Sequence, residues 1–293
     1  LIETFINKKI DLFIGIDSPD FNMGIHKALK KKNINKNIQV VSPSVWGWRQ
    51  NRIKSIQANI DLTLCLFNFE DNFYKKEGHK SFHLGHPFSK LNKIDRVDVL
   101  KKYNLDEDKK YLSVLPGSRA SELQDMLPVY KEFIKEHSQE NNEYLYLIPA
   151  ADKKLMEVLK KSFHESNLPV LIKENSMREF LSISELSIVT SGTASLESAV
   201  LGCSPIICYK TNFINYSIIS RMLKVDNIGL PNLLLDNRYF VELLQNDFNK
   251  KNIKNAIKET LLLKENSETI AESLKEMLKG RGYSDAAREL TLI

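Results

Sequence analysis

The chain has 293 residues, 42% of them apolar and 27% charged, the profile of a soluble globular protein with room for two domains of roughly 100–200 residues each. Its net charge of +5, from 42 basic and 37 acidic residues, permits an anionic substrate or membrane surface and makes no case for nucleic acid. Cys65, Cys203 and Cys208 lack paired spacing and read as reduced, buried thiols of a cytoplasmic protein, and no apolar run reaches the roughly 18 residues of a membrane-spanning helix.

Leu1 falls inside a helical pattern, so the natural start is expected upstream. Ile10–Ile16 is a β-branched and aromatic run ending at an Asp, and a lysine-rich helix follows it. That helix leads into Lys27–Lys36, the densest basic cluster and a weak candidate for membrane contact. Short apolar runs recur at Ile38–Val41, Asp61–Leu66 and Ser81–Leu84. After a polar break at Ser89–Lys110 they resume at Tyr111–Leu115, Tyr144–Ile148, Val170–Ile172, Leu186–Thr190 and Pro205–Tyr209. Continuous apolar strands alternating with helices predict parallel sheets covered on both faces, in a doubly wound α/β fold. Residues 1–88 are expected to form a partial Rossmann-like domain, and residues 109–293 a second that includes the C-terminal helices. Asn252–Leu292 reads as two helices divided by Gly280-Arg-Gly282.

Two strand-to-helix turns carry the strongest chemical signal. Val189-Thr-Ser-Gly-Thr-Ala194 ends a buried strand and starts a helix near Thr193, pointing free N–H groups and a positive helix end outward. Ser191 and Thr193 add hydroxyls, Gly192 permits close approach, and Glu197 stands one turn on, where a carboxylate suits ribose hydroxyls. Leu115-Pro-Gly-Ser-Arg119 repeats the design, with Gly117 in the turn and Ser118 and Arg119 at the helix mouth. Each turn taken singly has an ordinary helix cap as its competing reading. Paired at the carboxyl edge of one sheet, they point to a phosphate site. Neither fits the P-loop or dinucleotide fingerprints.

Asp17, directly after the first strand, is a candidate general base, with Asp20 as the cap of the next helix. Trp46 and Trp48 flank a Gly on a loop ending at Arg49 and suit stacking on sugar or acyl groups; Arg49 and Arg52 suit an anionic group. Asn232, after a Pro, is a candidate cap or ligand. The six histidines show no metal spacing, and His86, at a strand end, is the one to watch.

Five segments in register resemble the lipid-A-disaccharide synthases. They are Phe13-Ile-Gly-Ile-Asp-Ser-Pro-Asp-Phe-Asn22, Val41-Ser-Pro-Ser-Val-Trp-Gly-Trp-Arg-Gln50, Leu115-Pro-Gly-Ser-Arg-Ala-Ser-Glu122, Ser191-Gly-Thr-Ala-Ser-Leu-Glu197 and Leu230-Pro-Asn-Leu-Leu234. The resemblance implies a GT-B fold, two Rossmann-like domains facing a central cleft. It implies inverting transfer of 2,3-diacylglucosamine from UDP to the 6-hydroxyl of 2,3-diacylglucosamine 1-phosphate, without metal or other cofactor. It places Asp17 and Arg119 in catalysis and Gly117, Ser118, Glu122, Ser191, Gly192, Thr193, Glu197, Asn232, Trp46, Trp48 and Arg49 at the substrates. It implies a Gram-negative bacterium and a peripheral protein on the cytoplasmic face of the inner membrane, with an oligomer open. The family's opening Gly-Glu-Thr-Ser-Gly-Asp loop is not in this sequence, which is expected to begin about one-quarter of the way in. Competing readings are another GT-B UDP-sugar enzyme, such as a 2-epimerase, and a nucleotide-binding module without catalysis.

Overall fold

The computed structural model describes residues 1–32, 36–43, 45, 50–164, 167–210, 227–262 and 266–292. Trp46, Trp48 and Arg49 lie outside them. The chain divides into two compact units.

The first unit holds residues 1–89 and 275–292. Its sheet is four parallel strands in chain order: β1 (Leu12–Ile16), β2 (Lys36–Val40), β3 (Leu62–Cys65) and β4 (Ser81–His83). After α1 (Ile2–Asn7), the helices α2 (Pro19–Lys30), α3 (Ile53–Asn59) and α4 (Asn68–Lys76) follow successive strands. On one face of the sheet Ile53, Ile56, Cys65 and Tyr74 share a core with Val45 and Ile60. On the other, Ile38, Leu62, Leu64, Phe82 and Leu84 pack against Ala286 of the last helix. Leu12, Ile14 and Ile16 of the edge strand β1 remain exposed.

The sequence grouped that last helix with the second domain; it packs instead in the first unit. Two glycines explain the seat. A Cβ on Gly280 would stand 2.2 Å from the Gly85 nitrogen, so the chain segments cross backbone to backbone. The N–H groups of Arg281 and Gly282 donate to the carbonyls of His83 and Leu84, at 3.1 Å each.

The second unit carries six parallel strands: β5 (Lys110–Leu115), β6 (Tyr144–Ala150), β7 (Val170–Glu174), β8 (Leu186–Thr190), β9 (Ser204–Tyr209) and β10 (Glu242–Leu244). Their spatial order is β7-β6-β5-β8-β9-β10. The chain winds outward from β5 to β7, then returns to the far side of β5 and winds out the other way. β8 is buried along its whole length and β5 along all but its first residue, which is why their sequences are unbroken apolar runs. Long α6 (Ala120–Glu140) packs Met126, Tyr130 and Phe133 into the core of this sheet.

Three features differ from the sequence reading. The polar break contains α5 (Arg96–Tyr103), started by the Asp95 carboxylate accepting from the Val97 and Asp98 N–H groups. Strand β10 had no sequence signal, since three residues show no periodicity. The C-terminal stretch holds three helices among the described residues. They join α7 (Lys153–Phe163), α8 (Met177–Ile183), α9 (Thr193–Val200) and α10 (Leu230–Leu235) as α11 (Lys250–Leu262), α12 (Ser267–Leu278) and α13 (Gly282–Thr291).

Candidate functional site

Strands β5 and β8 are neighbours, with Leu112 opposite Leu186 and Leu115 opposite Val189. They are also where the winding of the sheet reverses, so their carboxyl ends open a crevice that no crossing helix fills. The two turns singled out in the sequence stand side by side at those ends. Both line one cavity of about 760 Å³, which contains Gly117, Ser118, Arg119, Glu122, Ser191, Gly192, Thr193 and Glu197.

The β8–α9 turn is open. Gly192 holds the cap position of α9, and among the described residues no side chain accepts from the first N–H groups of that helix. Among the described residues nothing lies within 4 Å of where a Cβ on Gly192 would stand. The turn is fixed from below: the Ser191 N–H donates to Cys208 (2.8 Å), and Thr190 Oγ1 lies 3.2 Å from the buried Tyr130 hydroxyl. With Gly192 as the cap, Glu197 is two residues too far along to complete a capping box. It faces the cavity instead. Burial pushes its carboxyl up from the usual carboxylate range, and the positive field of Arg178 partly opposes that.

The β5–α6 turn is closed by Glu122. Gly117 adopts a left-handed φ of +109°, and Arg119 holds the cap position. One carboxylate oxygen of Glu122 accepts from the N–H groups of Ser118 (3.1 Å) and Arg119 (3.2 Å); the other accepts from the Arg119 guanidinium at 2.8 Å. The Arg119 side chain is 79% exposed. Glu122, expected at the substrate, has its carboxylate on the turn itself.

Asn175, between β7 and α8, and Met177 and Arg178, at the start of α8, also line the cavity. The sequence reading missed them. They form no motif, and only the rule that ligands gather at strand carboxyl ends pointed there.

Asn232 is fully buried, and both ends of its amide are used. Its nitrogen donates to the Phe240 carbonyl (2.8 Å) and to Glu242 (2.9 Å), and its oxygen accepts from the Phe240 N–H (2.9 Å). Glu242 in turn accepts from the Ile228 and Gly229 N–H groups, at 3.0 Å each. Asn232 therefore ties α10 to Phe240 and Glu242, and both ends of its amide are spent there.

In the first unit, Asp17 ends β1 in a left-handed conformation (φ +53°), and Ser18 follows with φ +39°. Such backbone persists in non-glycine residues only where the surroundings enforce it. The Asp17 N–H donates to the Val40 carbonyl (3.0 Å). Its own carbonyl accepts from the amides of Asn22 (2.6 Å) and Gln39 (3.1 Å), and its side chain is exposed. Gly15 makes this possible, because a Cβ there would stand 2.9 Å from both amides. Ser18, not Asp20, holds the cap position of α2; Asp20 lies in the first turn, paired with Arg52. His86 is buried against Phe67, its Nδ1 accepts from the Phe88 N–H, and burial lowers its pKa to about 4.

The sequence of residues 1–289 matches the family model for lipid-A-disaccharide synthetase. The chain belongs to the lipid-A-disaccharide synthetase family. A Legionella pneumophila family member, lipid-A-disaccharide synthase 2, is 37% identical over 84% of this chain and 65% of its own length. The Acinetobacter baylyi synthase is 32% identical over the whole chain and 78% of its own length. The chain thus spans under two thirds of the length of the Legionella relative. Among solved structures, the S. aureus MnaA–UDP co-structure aligns with a TM-score of 0.58 at 15% identity, covering 99% of this chain and 76% of that one. A Burkholderia multivorans trehalose 6-phosphate synthase aligns at 0.56 and 11% identity, covering 100% and 73%. These likenesses establish the fold of this synthetase-family chain: GT-B, with two Rossmann-like units.

Proposed function

We propose that the chain carries the donor site and part of the acceptor side of a lipid-A-disaccharide synthase. The observation that supports this most is the pairing of two helix N-termini and an arginine around one cavity at the switch point of the second sheet. The donor is UDP-2,3-diacylglucosamine and the acceptor 2,3-diacylglucosamine 1-phosphate. The Asp17 carboxylate takes the proton of the acceptor 6-hydroxyl as that oxygen bonds to the donor C1 from the face opposite UDP. The bond from C1 to the diphosphate breaks, and UDP leaves with its electron pair, giving the inverted β-1,6 linkage. The N–H groups of Ser118 and Gly192–Ala194 and the Arg119 guanidinium meet the charge that grows on the leaving group. Glu197 holds the ribose. Asn232 acts indirectly, by tying α10 to Phe240 and Glu242.

The protein meets its lipid substrates at the cytoplasmic face of the inner membrane. The exposed Ile14, Ile16 and Phe21 of the first unit support contact with an apolar phase. No described helix is long and apolar enough to cross a membrane.

The test is a transfer assay of the complete natural polypeptide with both lipids in mixed micelles. The expected result is UDP release that depends on the acceptor, with one disaccharide formed per UDP. UDP binding without transfer would instead identify a nucleotide-binding module. Release from a soluble UDP-sugar donor alone would identify another GT-B enzyme.

A further inference from the structure

The two turns of the cavity are in different states. At β8–α9 the helix start carries no side-chain acceptor among the described residues. At β5–α6 a carboxylate already sits where an anion would. Glu122 Oε2 is shared by the Ser118 and Arg119 N–H groups at 3.1 and 3.2 Å, and Oε1 takes the guanidinium at 2.8 Å. A capping box needs only the N–H of the cap residue, here Arg119. Glu122 goes further. It also takes the Ser118 N–H, outside the helix, and the one arginine head of the turn. Gly117 makes the room, since a Cβ there would stand 2.7 Å from Oε2.

We propose that Glu122 is a resident stand-in for the donor diphosphate: its carboxylate fills the β5–α6 turn of the empty site and is displaced when a nucleotide diphosphate enters. This rests on the reading of the cavity as a UDP-sugar site. Phosphate oxygens and a fixed carboxylate repel and cannot share three donors, so one must leave. Glu122 is on the first turn of α6 and borders the cavity, and its side chain is 21% exposed. It therefore has space to swing aside. The exchange replaces charge-assisted bonds to one anion with similar bonds to another. Diphosphate affinity is then a difference between the two sets. Return of the carboxylate helps expel UDP after transfer.

The test is titration calorimetry of the complete polypeptide with UDP and with uridine, for wild type and Glu122→Gln. Gln keeps the cap, but a neutral acceptor holds the turn less tightly than a carboxylate, by roughly half. The expected result is UDP bound about 10-fold tighter by Glu122→Gln, with uridine affinity unchanged, from the loss of one competing charge. Should the Gln variant lose its native circular dichroism, Glu122→Ala is expected to give the same ordering. A wild type that binds UDP and variants that bind it no tighter would overturn this inference alone. A wild type that binds no UDP would overturn the donor-site reading and this inference with it.

Discussion

Two buried amides, those of Asn22 and Gln39, converge on the carbonyl of Asp17 and hold a pair of left-handed residues in place. Gln39 Oε1 is itself 3.1 Å from His26 Nε2, so the clamp reaches into the interior of the unit. The backbone is fixed while the carboxylate faces solvent, which suits a group that must take a proton from a bound hydroxyl. Asp17→Asn keeps the volume and loses the base. In the transfer assay it is expected to lower turnover by about 10²–10⁴-fold while leaving UDP affinity unchanged. Turnover within a factor of two of wild type would remove Asp17 from that role. A carboxylate at a strand end is legible in sequence, and so are Gly and Ser at a strand-to-helix turn. What a polar side chain bonds to is not. Glu122 and Asn232 both read as outward-facing groups, yet one closes on its own turn and the other is spent on Phe240 and Glu242. The partners of Asn232 lie 8 and 10 residues away, at distances that no propensity encodes.

At the scale of elements, nine of the ten described strands stood out as short apolar-rich runs, most plainly β5 and β8, which are buried on both faces. β10 did not, because three residues beside β9 need only one hydrophobic step. Helix α5 was hidden by its polar surface; only Val99 and Leu100 of its eight residues are buried. The placement of α13 depends on Gly85 and Gly280, far apart in sequence and touching in the fold. Gly280→Ala drives a methyl into the Leu84–Gly85 backbone, and overpacking of this kind costs about 1–3 kcal/mol. Urea unfolding followed by circular dichroism is expected to show that loss, and an unchanged midpoint would mean that the two segments separate without cost. The histidines of the same unit set its acid response. Burial holds His79 and His86 to pKa values of about 4, below the ordinary 6.5. The unfolded chain therefore takes up protons before the native state does. Their contribution to stability is complete above pH 6.5 and is lost as pH falls towards 4. His79→Gln, at the site where Thr63 Oγ1 meets the ring nitrogen at 2.9 Å, is expected to flatten the fall of the urea midpoint between those values. An equally steep fall would assign the acid response to other groups.

For the molecule as a whole, the order β7-β6-β5-β8-β9-β10 gives the cavity its place. A sheet that reverses its winding between β5 and β8 leaves a crevice there whatever the side chains are, and the sequence fills its two lips with Gly, Ser, Thr and Arg. Family membership agrees with that placement without deciding it, since the chain spans 65% of one relative and 78% of another. The central claim is that the paired turns of the second unit receive the donor diphosphate. Amide hydrogen exchange of the complete polypeptide, with and without saturating UDP, tests it most directly. The account predicts slowed exchange in peptides spanning Gly117–Glu122 and Ser191–Glu197. UDP-dependent protection elsewhere, with both turns unchanged, would contradict it.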